Sequence, residues 1–466
     1  MKILIISSFF YPNNQIASFR IEAFAKYFQL AGHSVTVVTE GKVNETALWS
    51  GCEIHYITNP LTTLSFMNYY IKKDSRWSLS QILIALLVRI TSDSRFIWRF
   101  KAYKKVISLY KTNSFNVVLT SFGPLAPHMI ALRLRRNGYK FYWIADMRDE
   151  MSKNILISRY LTKRLIPYEY KIVNSSDLVV SVSEPLLKNF KRLCKYGHFL
   201  EIKNGYDYEE VYDVCFQPQF TMAFIGRFYW GINPNNWFKA FSELIHEGKL
   251  PTNCLIKIIG NNSELDIPQN IASNVFQLDS VIHSEAIRMS LDVDTLVVIH
   301  PTGRKGVYTG KLFDYLATNK PILALCDPED VIAQLLNETK AGFTVDNADI
   351  DGIKKMILRC YSIWKNKEVL PRDWDQAVTG NVYGFDTLFG SPVALVESES
   401  IAPIAVSVTS VCSIRRANRV TAIRKRTRIG MGTRAVTGCR FLLAGKDDPD
   451  KAGEKGKDCF KILHVN

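Results

Sequence analysis

The stretch Lys2-Ile3-Leu4-Ile5-Ile6-Ser7-Ser8 opens a pattern that decides the fold class. A polar loop follows it, then Phe24, Tyr27, Phe28 and Ala31 at helical spacing, then Gly32, then Val35-Thr36-Val37-Val38-Thr39. An unbroken apolar, β-branched run is what a strand buried on both faces requires, and Gly32 can close the helix between the two runs. A strand, a helix and a second strand of this kind make a right-handed crossover unit and predict a parallel sheet.

The same grammar continues at 117–120, 142–146 and 178–182, with helical patterns between. It restarts after residue 210, with strand candidates at 221–225, 255–259, 295–299 and 321–325. A chain of 466 residues is too long for one core, so two doubly wound domains are expected. We place the first at residues 1–208 and the second at 209–375, with the boundary in the polar, turn-rich stretch 204–218. The grammar ends there. Residues 401–445 carry nine Arg or Lys and no acid, with little apolar periodicity, so 376–466 reads as an atypical, irregular tail.

Composition narrows the class. With 47% hydrophobic and 22% charged residues the chain is an ordinary globular protein. Nine scattered cysteines form no C-x-x-C pair, so no structural zinc site is expected and a reducing cytoplasm is the expected location. The apolar start is too short for a signal peptide and has no small-residue cleavage site, and no run reaches the roughly 18–20 apolar residues of a spanning helix. The net charge of +15 suits an anionic ligand or an anionic membrane surface. Residues 61–110 interleave apolar runs with Trp77, Trp98 and many Lys and Arg, as an interfacial helical insertion on the inner leaflet of a membrane would; a helical insertion packed on the domain is the plainer alternative.

Three strand ends hold residues suited to chemistry. In Thr309-Gly310-Lys311-Leu312-Phe313-Asp314-Tyr315-Leu316-Ala317, helical spacing puts Leu312, Phe313, Leu316 and Ala317 on one arc and Lys311, Asp314, Tyr315 and Thr318 on the other. Gly310 permits close approach at the helix start, free N–H groups there attract a diphosphate, and Lys311 adds a full charge. Asp314 could accept hydrogen bonds from ribose hydroxyls. In Phe224-Ile225-Gly226-Arg227, an arginine stands at a strand's carboxyl end, where open α/β sheets bind ligands. Asp146-Met147-Arg148-Asp149 ends another strand and is either an acceptor pocket or an ion-pair knot. His128 follows a strand-end loop and is placed to line a cleft.

In order along the chain, these segments resemble the retaining glycosyltransferases of family 4, which have the GT-B fold, and in particular the bacterial O-antigen and capsule transferases similar to N-acetylfucosamine transferases. The resemblance rests on Phe10-Tyr11-Pro12 with Ser18-Phe19-Arg20, on Gly32-His33-Ser34-Val35-Thr36-Val37, on Asp146-Met147-Arg148-Asp149, on Ser181-Val182-Ser183-Glu184-Pro185, on Asn204-Gly205-Tyr206-Asp207, on Gly226-Arg227-Phe228-Tyr229 and on the Gly310–Leu316 segment. It implies two Rossmann-like domains facing across a cleft and transfer of a sugar from a nucleoside diphosphate sugar, with UDP expected, with retention. The nucleotide sugar is a co-substrate; no cofactor and no metal are implied. It implies catalytic roles for Arg227, Lys311 and His128, donor binding at Gly226, Gly310, Asp314 and Tyr315, and an acceptor side at Arg20, Asp146, Arg148 and Asp149. The implied acceptor is a polyprenyl-diphosphate-linked sugar or a polysaccharide at the cytoplasmic membrane face, and no nucleic acid is expected.

The chain departs from that family in places. Two acids eight residues apart are usual; Asp314 stands at the second position and Gly306 at the first. Asn14-Gln15-Ile16-Ala17 replaces the usual Gly-Gly loop. The helix that usually crosses back to the first domain would start near Trp374-Asp375-Gln376-Ala377. A sugar-nucleotide epimerase of the same fold, a non-catalytic nucleotide-sugar-binding protein and a nucleic-acid binder acting through 413–440 are the competing readings.

Overall fold

The computed structural model describes residues 1–371 other than 14–15, 60–85, 87–89, 92, 156, 195, 206–213 and 229–230. Most of the proposed membrane segment, Tyr206, Asp207, Tyr229, the Trp374–Ala377 stretch and the whole tail lie outside the described residues.

The first sheet is built from β1 (Lys2–Ile6), β2 (Ser34–Gly41), β3 (Glu45–Trp49), β4 (Cys52–Thr58), β5 (Val117–Ser121), β6 (Tyr142–Asp146), β7 (Leu178–Ser181) and β8 (His198–Glu201). Their spatial order is β3-β4-β2-β1-β5-β6-β7-β8, and every pairing is parallel except that of edge strand β3 with β4. β1 is apolar from Ile3 to Ile6 because both its faces are covered there. Ile3 and Ile5 meet Phe24, Ala25 and Phe28 of α1 (Ile16–Leu30) in one cluster. Leu4 and Ile6 belong to another, with Trp98, Ala102 and Val106 of α2 (Phe96–Thr112) and Ile130 and Leu134 of α3 (Ala126–Arg136). Gly32 ends α1 at a φ of 82°, a conformation that favours glycine. Trp98, expected at a membrane interface, is fully buried in the core instead. α4 (Arg159–Ser175) and α5 (Glu184–Lys191) continue the layer begun by α2 and α3, each capped by a serine whose hydroxyl accepts a first-turn N–H.

The second sheet has β9 (Thr221–Ile225), β10 (Leu255–Ile259), β11 (Val275–Leu278), β12 (Thr295–Ile299), β13 (Ile322–Leu325) and β14 (Gly342–Val345). The order β11-β10-β9-β12-β13-β14 is parallel throughout, the arrangement of a dinucleotide-binding fold. α6 (Asn235–His246) and α10 (Ile350–Asn366) cover one face. The other face is covered by α8 (Gly310–Ala317) and α9 (Val331–Thr339), in a cluster that also holds Leu186 and Phe190 of the first domain. α7 (His283–Leu291) precedes β12. In both sheets the order reverses beside the first strand, so β1/β5 and β9/β12 are the switch points where such sheets bind ligands. Among the described residues no helix is long and apolar enough to cross a membrane.

Gly342 sits where a Cβ would collide with the Ile322 carbonyl, its register partner on β13. Gly342→Ala is therefore expected to force the β13–β14 pair apart and destabilise the chain by about 1–3 kcal/mol or more. A urea midpoint equal to wild type would refute that register.

Candidate functional site

The carboxyl end of β9 and the start of α8 come together at the second switch point. Gly226 follows β9 with a φ of 131°, and a Cβ built on it would lie 2.7 Å from the Lys311 Nζ. Glycine is favoured here by backbone conformation, and its bare Cα leaves room for the ammonium, which a larger side chain would displace. The Lys311 Nζ also stands 3.8 Å from the centre of the Phe224 ring. The residue keeps some exposure, but protein surrounds its ammonium, and burial pulls the Lys311 pKa down to about 7. Here is a cation held in a place that disfavours charge, at the first turn of a helix. The Thr309 side chain makes no capping bond to that turn, and the turn carries the partial positive charge of a helix start. Arg227 is exposed beside Gly226, its Nη2 donating to Ser280 Oγ at 3.3 Å.

Asp314, one turn into α8, reaches the same opening but is engaged: His283 Nε2 lies 3.1 Å from its Oδ2. The His283 ring lies against Phe19 of α1, with centroids 4.5 Å apart, so this contact joins the two domains. Glu22, three residues on along α1, is pushed up to about 7 by burial, which His283 partly offsets. Glu22 and His283 were not singled out from the sequence, and Phe19 entered only as part of Ser18-Phe19-Arg20, since their meaning comes from meeting across the gap.

Several expected site residues serve other ends. Tyr315 and Thr318, assigned by helical spacing to the open arc, are buried, because α8 is covered on both sides. The Tyr315 hydroxyl accepts the Ile225 N–H at 2.9 Å and so pins the end of β9 that carries Gly226. His128 does not line the cleft. It is fully buried, stacked parallel to Phe122, with Nδ1 2.6 Å from the Thr120 hydroxyl, and burial drives its pKa down to about 3. Arg20 and Asp146 form a buried ion pair at 2.8 Å; Ser121 also donates to Asp146, and Arg20 reaches the Ile202 carbonyl. Arg148 donates to the Phe122 and Gly123 carbonyls. Asp149 and Glu150 take Arg304 of the second domain at 3.3 and 3.2 Å. Of the two readings of this cluster, the geometry is that of an ion-pair knot.

Gly306, where the resembling family has an acid, is an interdomain contact. Its φ is 80°, its carbonyl accepts the Ser183 hydroxyl, its N–H donates to Asp330 at 2.7 Å, and a Cβ would lie 2.9 Å from that of Pro185. No side chain fits there. Among the described residues no group of three or more His, Cys, Asp or Glu is placed to hold a metal ion.

Solved structures share this architecture. A trehalose-6-phosphate protein from E. coli bound with UDP-2-fluoro glucose matches at a TM-score of 0.58 and 10% identity, over 87% of this chain and 100% of its own. The α,α-trehalose-phosphate synthase (UDP-forming) of Burkholderia xenovorans, in complex with glucose-6-phosphate, matches at 0.58 and 10%, over 85% and 100%. Anabaena HepE in complex with UDP-glucose matches at 0.53 and 12%, over 85% and 100%. At such identities the likeness establishes the fold, two Rossmann-like domains in the GT-B arrangement. No family model and no curated protein matches the chain.

Two substitutions test the contacts. Asp146→Ala strands a buried guanidinium and is expected to lower stability by about 3–5 kcal/mol in chemical denaturation; a loss under 1 kcal/mol would return Asp146 to the acceptor side. Gly306→Glu, which restores the family's acid, is expected to lower the melting temperature and weaken the interdomain contact rather than to raise nucleotide affinity, both readable in one calorimetric series.

Proposed function

We propose that this chain is a retaining glycosyltransferase that takes a sugar from a nucleoside diphosphate sugar, UDP-linked, and moves it to a lipid-linked or polysaccharide acceptor at the cytoplasmic face of a membrane. The observation that carries the reading is the Lys311 ammonium lodged against Gly226 at the switch point of the second sheet, beside the start of α8. A diphosphate in that position meets a full charge, a helix N-terminus and the nearby Arg227 fork at once. The similarity to structures that hold UDP-sugars or sugar phosphates supports the choice of ligand.

In this mechanism the bond between the anomeric carbon and the diphosphate oxygen breaks while Lys311, Arg227 and the helix N–H groups neutralise the charge growing on the leaving group. The acceptor hydroxyl attacks from the side the leaving group departs, and its proton passes to a diphosphate oxygen, so retention needs no protein nucleophile. Asp314 reaches the ribose by exchanging its bond to His283, which links donor binding to the Phe19 contact between the domains. Arg20, Asp146, Arg148 and Asp149 act beneath the acceptor side, shaping the loops rather than touching sugar.

Binding a diphosphate requires Lys311 to be charged. Its pKa of about 7 in the free protein rises when the anion arrives, so binding takes up a proton above pH 7. Affinity for a UDP-sugar is expected to fall as pH rises from 7 to 9, by up to about tenfold per unit, and Lys311→Met should flatten that profile and cut turnover by about 10²–10³-fold. Calorimetry in buffers of different ionisation enthalpy reads the proton; a flat profile in the wild type removes Lys311 from the diphosphate. UDP release that depends on a membrane-extracted acceptor identifies transfer. Conversion of the donor without acceptor would identify an epimerase instead, and binding without either would overturn the catalytic reading.

A further inference from the structure

The helical layer of the first domain has a second concavity, formed by residues the transfer chemistry does not use. α3 is its floor and α2 and α4 its walls, and it encloses about 720 Å³, within the range of small-molecule sites. α3 starts after the carboxyl end of β5 and runs back, so its last turn, with Arg133 and Arg136, lies toward the opposite edge of the sheet from the cleft.

The lining is cationic. Arg99, Arg133, Arg136 and Lys171 come from three different helices, and among the described residues no acid lines the groove. Arg99 is matched by the buried Asp93 at 3.3 Å. No ion pair among the described residues uses Arg133, Arg136 or Lys171, so about three positive charges converge there unneutralised. Cations in the last turn of a helix favour its dipole, which accounts for arginines at the end of α3. It does not account for Lys171 on α4 turning to the same space, nor for the aromatic walls. The Arg133 guanidinium is held 4.3 Å from the centre of the Tyr103 ring, which fixes its plane. Tyr103 is nine-tenths buried, and its hydroxyl accepts from Asn137 Nδ2 at 2.6 Å, which leaves the phenol's own proton to donate. Tyr168 faces it from α4. Guanidinium forks match phosphate oxygens in pairs, while tyrosine faces cover carbon.

We propose that this groove binds a phosphate ester, with Arg133, Arg136 and Lys171 on the phosphate and Tyr103 and Tyr168 against the carbon skeleton. A soluble sugar or glycerol phosphate and a phospholipid headgroup present the same chemistry, and the experiment separates them. The full chain is titrated with glycerol 1-phosphate by calorimetry, and floated with vesicles of phosphatidylcholine alone or with phosphatidylglycerol added. The same is done for a variant carrying Arg133→Gln, Arg136→Gln and Lys171→Gln, and for a charge-matched control carrying Lys101→Gln, Lys111→Gln and Lys140→Gln, all outside the groove. All six side chains are exposed, and equal melting temperatures would show both variants folded.

Binding of glycerol 1-phosphate that weakens roughly tenfold or more in the groove variant alone supports the site with a soluble ligand. Flotation with phosphatidylglycerol lost in the groove variant alone supports it with a lipid headgroup. Binding in neither arm, or an equal loss in the control, overturns the proposal, since diffuse charge would then explain everything.

Discussion

The Lys311 ammonium lies over the Phe224 ring and against Gly226, and among the described residues no carboxylate forms an ion pair with it. Much of the second domain answers to that one placement. Residue 226 has a φ that favours glycine, and its bare Cα leaves room for the ammonium. Tyr315 sits on the buried side of α8, where its hydroxyl accepts the Ile225 N–H and fixes the strand end beside the lysine. Burial disfavours that charge, and under the proposed function an incoming anion would offset the lost solvation. That is the condition under which a fixed cation discriminates between a neutral ligand and a diphosphate.

The two domains share an apolar cluster that includes Leu186 and Phe190 of the first and Leu312 and Leu335 of the second, and polar clasps add to it. Arg304 reaches Asp149 and Glu150, Ser183 reaches the Gly306 carbonyl, and His283 connects Phe19 to Asp314. The Ser183 hydroxyl also caps α5, so one group fixes a helix and an interdomain contact. Burial holds Glu150 above the ordinary carboxylate range, and Arg304 only partly opposes this. Arg20, Asp146, Arg148 and Asp149, which a motif reading assigns to the acceptor, are instead engaged with other protein groups.

The outer side of the first domain follows a different logic. Its helices bury Trp98 and Ile130 inward and turn arginine, lysine and tyrosine outward. Interleaved aromatic and basic residues in a sequence suit a membrane interface and a packed helix equally well, since both need an apolar and a charged face. In α2 the tryptophan went to the core, and what remains outside is a groove rather than a flat patch.

The sequence alone determined the parallel sheets, because a strand covered on both faces must be apolar along its buried length, as 3–6, 117–119 and 296–299 are. It also marked the Gly226 and Gly310–Lys311 strand and helix ends. Strands β3, β4, β8, β11 and β14 were not legible: β3, β8, β11 and β14 are edge strands with exposed or half-exposed positions, and in the interior strand β4 Glu53 and His55 break the apolar run. Only the tertiary structure decided that Asp146 belongs to Arg20, that His128 and Tyr315 are buried, that Gly306 is an interdomain contact and that His283 meets Phe19. Each of these depends on a partner more than a hundred residues away or on what covers a helix from outside, and local patterning has no access to either.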